Sequence, residues 1–311
     1  MKSNQNIKSS KSMEPFQDEA TSYPDPPEMT EVQHQKEFHT WDYLENLGVA
    51  KIAPRTSAFD PGYDPSTLIS HLRQSSHLIS SLKISMACWQ VANEKATRRK
   101  IQAAKRLGIP VCTGGGPFEV ASHYNMLPEY LDLCVSMGIS RIEAGEGFLD
   151  LQMSADNVIR LAHERGLQVQ FEVGKKHAGA FSNDVVGDLI EQGQRWLDAG
   201  AVQIIVEARE SAENIGVFGS GGELDTRAAD RFVAAYGLEK TVFEAPDKAS
   251  QFAMLNHFGP DVHLMNVRLE EILRVEIYRR GLHSDAFQQD NLRPKGPSSL
   301  KDGNHAALIC H

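Results

Sequence analysis

The chain has 311 residues, with 41 Asp and Glu against 32 Lys and Arg, for a formal net charge of −9. That balance argues against nucleic acid or an anionic membrane as the main partner, and any anionic ligand must be met by a local basic cluster. The length suits one (β/α)8 barrel, which takes roughly 250 residues, with tails at both ends.

Residues 1–38 are rich in Ser, Lys, Asn and Gln, turn acidic and proline-containing from Pro24 to Glu31, and lack the apolar h-region of a secretory signal. They read as a disordered tail. The barrel is expected over residues 39–287. Seven glycines, Gly48, Gly108, Gly138, Gly166, Gly200, Gly237 and Gly259, each follow a helix-like stretch and precede a short apolar one. Glycine is favoured just past a helix C-terminus, so each marks a helix end and a coming strand. The spacing from Gly108 to Gly237 suits one βα unit per interval. Eight strands are expected near residues 49–53, 78–84, 109–113, 139–143, 168–173, 202–207, 241–244 and 262–266. Amphipathic segments lie between them, one with Val186, Leu189, Ile190 and Leu197 on a single face and another capped by Ser154. An alternating βα series of eight points to a closed (β/α)8 TIM barrel, with a doubly wound open sheet as the rival. From residue 288 to 311 a second tail is expected.

No apolar run approaches the ~18 residues needed to cross a bilayer. Cys88, Cys112, Cys134 and Cys310 form no C-x-x-C pair, and read as reduced thiols of a cytoplasmic protein.

In such barrels the chemistry sits at the C-terminal ends of the strands. Four successive strands end on a carboxylate: Glu143, Glu172, Glu207 and Glu244. Like charges crowded together need a cation. Hard oxygen donors with few histidines nearby suit Mg2+ rather than zinc. The competing reading is an ion network with Lys83, Lys175 and Arg209. Gly114 and Gly115, ahead of Glu119, would bring backbone N–H groups to an anion at a helix N-terminus, or simply form a turn. Lys175 and Lys176 follow Glu172 at a strand end, where a lysine can act as general acid or electrophilic clamp. Arg209 is placed for a phosphate or carboxylate. Asn266 ends the eighth strand. Of the histidines, His177 is the best functional candidate, and His263 reads as a satisfied barrel residue. Residues 219–222 read as a lid tip.

These motifs, in this order, resemble the phosphosulfolactate synthase family. The resemblance runs from about Leu78 to Phe287 and rests on Glu172-Val173-Gly174-Lys175-Lys176, Glu207-Ala208-Arg209-Glu210-Ser211, Phe243-Glu244-Ala245-Pro246, Arg279-Arg280-Gly281-Leu282 and the turn from Gly114 to Glu119. It implies an oligomeric (β/α)8 barrel that adds sulfite to phosphoenolpyruvate with Mg2+. By the same resemblance Lys175 or Lys176 is the proton donor, Lys175 in preference. Arg209 and Lys83 bind phosphate or sulfite, Gly114, Gly115, Glu119 and Asn266 line the substrate, and the four glutamates form the metal shell. The chain departs from the family pattern at Thr113 and Gly116, at Gly145-Glu146-Gly147, and at Ser85-Met86-Ala87-Cys88. These positions face substrate, so two further readings stand beside the first: a lyase or aldolase for another small phosphorylated acid, and a non-catalytic barrel of the plant heat-stress type.

Overall fold

The structure, a computed structural model, describes residues 39–297. The expected N-terminal tail and the end of the C-terminal one lie outside these residues. Eight parallel strands close into a barrel in the order β1 to β8. They are β1 (Thr56–Asp60), β2 (Ile79–Ile84), β3 (Val111–Thr113), β4 (Arg141–Gly145), β5 (Gln168–Val173), β6 (Ile204–Val206), β7 (Thr241–Glu244) and β8 (His263–Arg268). The helices are α1 (Thr40–Asn46) before β1, α2 (Pro65–Ser75), α3 (Cys88–Val91), α4 (Glu94–Arg106), α5 (Gly116–His123), α6 (Leu127–Met137), α7 (Ala155–His163), α8 (Asn183–Ala199), α9 (Thr226–Tyr236), α10 (Lys248–Phe258), α11 (Ile272–Arg279) and α12 (Ser284–Phe287).

Seven strands lie where the sequence places them. The first does not: the expected strand at 49–53 is irregular, and β1 begins seven residues later. Gly48 ends α1 as expected, at φ +76° and with no room for a Cβ beside Gly296. Pro54 then removes a ladder donor from the apolar run that follows. The real strand, Thr-Ser-Ala-Phe-Asp, is fully buried although mostly small or polar. Ser154 stands at the start of α7, but its hydroxyl makes no capping bond. Elsewhere the caps are formed: Asp64, Asn93, Ser182, Asp225 and Asp247 each accept from a first-turn N–H.

Strand alternation divides the side chains. Val169, Phe171 and Val173 of β5 point outward into the main core, where Phe171 stacks on Trp196 at 4.2 Å. Gln170 and Glu172 point to the barrel axis. The axis is polar for most of its length. Its apolar plug is small, made by Ile205, Val242 and Met265. On β8 the register slips: Thr56 pairs with Leu264 but Ala58 with Val267, so one extra residue is inserted. Asn266 occupies that bulge at φ +61°, a device that turns a side chain out of strand phase.

Arg279, the last residue of α11, and Arg280, just past it, are both buried. Arg279 donates to the carbonyls of Pro260 (2.5 Å) and Val262 (2.8 Å) and to Thr56 Oγ1 (3.0 Å), tying α11 to β1 and β8. The chain past residue 287, expected as a tail, stays on the barrel through residue 297. Leu292 is buried, and Asn291 Nδ2 donates to the Asn256 carbonyl at 2.9 Å. The expected lid tip at 219–222 is a closed turn. Gly219 N donates to Glu223 O and Gly222 N to Gly219 O, next to the buried Phe218.

Candidate active site

A cavity of about 1030 Å³ opens at the C-terminal ends of the strands. At its floor Lys83 Nζ lies 3.0 Å from both Glu143 Oε2 and Glu244 Oε1. Lys176 Nζ lies 2.8 Å from Glu172 Oε1 and 2.7 Å from Glu207 Oε2. All four carboxylates are buried. Backbone N–H groups complete them: Gly115 N donates to Glu143 (2.8 Å), and Ala208 N and Arg209 N donate to Glu244 (both 3.0 Å). Gln170 Nε2 adds a bond to Glu143 at 3.3 Å.

Four carboxylates face two ammonium groups, so two negative charges have no counterion. The excess shows in the proton affinities. Burial, against the pull of Lys83, pushes Glu143 up to about 8, helped by Glu172. Burial followed by the charges of Glu172 and Glu244 also pushes Glu207 far up. Glu172 is itself opposed by burial, but Lys176 and a hydrogen bond from Glu207 hold it well below the carboxylate range. Burial likewise disfavours charge on both lysines, yet their glutamate neighbours hold each firmly protonated. The resting cluster thus contains protonated lysines beside carboxyl groups that hold protons near neutral pH.

The residues expected at the site are not all there. Lys176 lines the cavity, whereas Lys175 reaches outward to the exposed Asp150 at 2.7 Å. Counted from the inward Glu172, strand alternation turns residue 176 to the axis and residue 175 away, with the inward position between them taken by Gly174, at φ +119°. A side chain there would meet Phe181 and Glu207 at 2.9–3.0 Å. Arg209 lines the mouth, and its Nη1 donates to the Lys176 carbonyl at 3.1 Å. Lys83, Gly114, Gly115 and Asn266 also line the cavity. The anion that meets the Gly115 N–H is the protein's own Glu143, so this donor is already engaged. Glu119 does not line the cavity. It accepts from Phe148 N (2.9 Å) and Leu149 N (2.8 Å), and so holds the loop after β4. His177 is exposed and outside the cavity lining.

Ser85, expected to face substrate only as a departure from the family pattern, lines the cavity. It lies two positions past Lys83, so the same alternation that turns Lys83 inward identifies it. Ser85 is 1% exposed, and its Oγ has no hydrogen-bond partner among the described residues. Asn266 Oδ1 is in the same state. A buried polar atom left unpaired costs about 1–3 kcal/mol, which makes both atoms candidates to bond a substrate in this cavity. Met86, Arg209 and Asn266 all line the cavity at positive φ, and strain of this kind gathers at functional sites. The outer part of the cavity is apolar, with Pro117, Val120, Tyr124, Met126, Leu133 and Phe148.

A family model for (2R)-phospho-3-sulfolactate synthase (ComA) matches residues 51–285. The chain belongs to the phosphosulfolactate synthase family. A phosphosulfolactate synthase of Methanocaldococcus jannaschii is 32% identical over 233 residues, 75% of this chain and 93% of that protein. One from Methanothermobacter thermautotrophicus is 27% identical over 238 residues, 76% of this chain and 92% of that protein. The Arabidopsis thaliana protein HEAT-STRESS-ASSOCIATED 32 is 25% identical over 226 residues, 65% of this chain and 76% of that protein. The matched region spans the closed barrel and every residue of the Lys–Glu cluster.

For a phosphosulfolactate synthase barrel the question of a metal turns on the unmatched charge. Among the described residues, no three carboxylate, imidazole or thiol groups form a ready cage. Mg2+ does not need one: it takes one or two carboxylates and completes its shell with water and substrate oxygens. Glu172, hydrogen-bonded to both Glu143 and Glu207, is where one divalent ion would replace two shared protons. Hard donors and two excess charges fit the ion. Among the described residues, no helix is long and apolar enough to cross a membrane.

Proposed function

We propose that the chain catalyses Mg2+-assisted addition of sulfite to phosphoenolpyruvate, giving (2R)-phospho-3-sulfolactate. The observation that carries this reading is the charged Lys176 held at the cavity floor between Glu172 and Glu207, beside a second buried cation, Lys83. Sulfite sulfur forms a bond to the methylene carbon of the enol phosphate. The electron pair of the C=C bond moves to the adjacent carbon and into its carboxylate. Lys176 donates the proton that completes that carbon, and regains one from solvent. Lys83 offers fixed positive charge to the carboxylate as it gains electrons. Arg209, at the mouth, is placed for the phosphate or the incoming sulfite. Mg2+ held by Glu172 with Glu143 or Glu207 would supply Lewis-acid stabilisation of the substrate carboxylate. Protein incubated with phosphoenolpyruvate, sulfite and Mg2+ should consume sulfite and yield a product of the summed mass. Folded protein that does neither, with Mn2+ also tried, contradicts the reading.

The cavity favours a second reading. Phosphoenolpyruvate and sulfite together have about fourteen non-hydrogen atoms, roughly 400 Å³ at the ~30 Å³ share of a water molecule. The cavity is about 1030 Å³ and its outer part is apolar. A phosphorylated acid with an apolar substituent would fill it, with the same Lys–Glu cluster acting on the same kind of carboxylate. A mass-spectrometric screen of phosphorylated acids as substrates separates the two readings.

A further inference from the structure

The opposite mouth of the barrel, at the N-terminal ends of the strands, ordinarily serves stability alone. Here it contains a second cavity of about 280 Å³, lined by Ser57, Ser81, Arg141, Gln203, Glu239 and His263 among others. Arg141 has no carboxylate partner among the described residues. Its guanidinium meets only neutral amide oxygens: Gln168 Oε1 at 2.8 and 3.2 Å, Gln203 Oε1 at 3.3 Å and Gln170 Oε1 at 3.4 Å. The last two contacts are long, so the fork is loosely held. Arg55 is bound to Glu239 at 2.9 and 3.2 Å, which cancels one charge pair and leaves Arg141 as net positive charge.

The state of His263 follows from its neighbour. Arg55 Nη1 lies 2.6 Å from His263 Nε2. A guanidinium can only donate, so Nε2 must accept and the ring proton sits on Nδ1. That Nδ1–H has no acceptor among the described residues, in a ring that is 9% exposed and lines the cavity. Ser57 Oγ and Ser81 Oγ, 2.7 Å apart, bond to each other, and Ser57 Oγ also lies 3.4 Å from the Ser81 carbonyl, so the pair brings at most one free hydroxyl proton to the same space. Donors and one unmatched positive charge suit a small anion.

We propose that this cavity binds a small tetrahedral oxyanion, phosphate or sulfate, between the Arg141 fork, the His263 Nδ1–H and the one hydroxyl proton that the Ser57–Ser81 pair can turn toward it. Such an ion needs roughly 150 Å³ at about 30 Å³ per heavy atom, which the cavity accommodates. The site lies at the far end of the barrel from the Lys–Glu cluster and does not rest on the reaction proposed above.

The test is a titration followed by His263 ring resonances at pH 7.5 with sodium sulfate, inorganic phosphate and glycerol 3-phosphate, against chloride at matched ionic strength. Sulfate and phosphate should shift the ring saturably and chloride should not. Equal binding of the ester shows that the site takes the phosphate end of a metabolite. Exclusion of the ester shows a site for the free ion. Arg141→Gln should weaken binding at least tenfold, and Lys176→Met should leave it unchanged, which separates the site from anions at the catalytic end. If Arg141→Gln does not fold, Arg141→Lys, which keeps the charge and loses the fork, should bind several-fold more weakly by calorimetry. A shift that chloride reproduces, that never saturates, or that survives both Arg141 variants overturns the proposal.

Discussion

Replacing His263 by Gln should remove an acid sensitivity from the fold while changing neutral-pH stability by no more than ~1 kcal/mol, the worth of one hydrogen bond. In the folded chain, burial first and the Arg55 guanidinium second push the imidazole down to about 4. In the unfolded chain it titrates near 6.5. Above pH 6.5 the ring is neutral in both states and the folded form keeps its full advantage. As the pH falls from 6.5 to 4, the unfolded chain takes up a proton that the folded chain refuses, so stability is lost across that window. A shift of about 2.5 units corresponds to about 3 kcal/mol. Urea denaturation at half-unit steps from pH 8 to pH 4, in a buffer free of oxyanions, should show the wild type losing that amount relative to His263→Gln. Arg55→Met should raise the ring's pKa, because it removes the nearest cation. Parallel curves for wild type and His263→Gln, or a ring that titrates near 6.5 in the folded protein, would refute the reasoning.

Three further outcomes are expected. Lys83→Met removes a cation buried 3.0 Å from two carboxylates and should cost about 3–5 kcal/mol in urea denaturation at pH 8; a loss below ~1 kcal/mol would show that the pair is not buried in solution. Lys175→Met breaks only an exposed pair with Asp150, worth ~0–1 kcal/mol, and should leave turnover within about twofold, whereas Lys176→Met should lower it by ~10²–10⁴ as a lost general acid; equal effects would undo the distinction between the outward and the inward lysine. At the β8 bulge, Asn266→Gly should fold normally, while Asn266→Val, β-branched at φ +61°, should cost ~1–3 kcal/mol more by thermal or urea denaturation.

The barrel was legible because six strands, β3 to β8, each follow a glycine stop with an apolar run, and these two signals are local. β1 escaped because its residues are small or polar, and because Val49 to Ile52 mimics a strand just after a glycine stop. The rim glutamates were legible from strand phase alone. Their partners were not, since only closure of the barrel brings Lys83 of β2 to Glu244 of β7. Lys175 was preferred over Lys176 on the resemblance alone, whereas alternation counted from Glu172 selects Lys176. Glu119 looked like a site residue from its place after the glycine turn, yet two backbone N–H groups engage it. Ser85 was within reach of the same phase argument that selected Lys83. The second cavity was not, because its donors come from strands far apart in sequence.

The central claim is that the buried Lys–Glu cluster at the C-terminal mouth adds a sulfur nucleophile to an enol phosphate. The direct measurement is sulfite consumption with phosphoenolpyruvate and Mg2+, run side by side for wild type and Lys176→Met, with the product identified by mass. The account predicts metal-dependent formation of phosphosulfolactate by the wild type and its near-complete loss in the variant, with the fold intact by circular dichroism. Undiminished product formation by Lys176→Met, or none by folded wild type while the screen finds turnover of a bulkier acid, would contradict it.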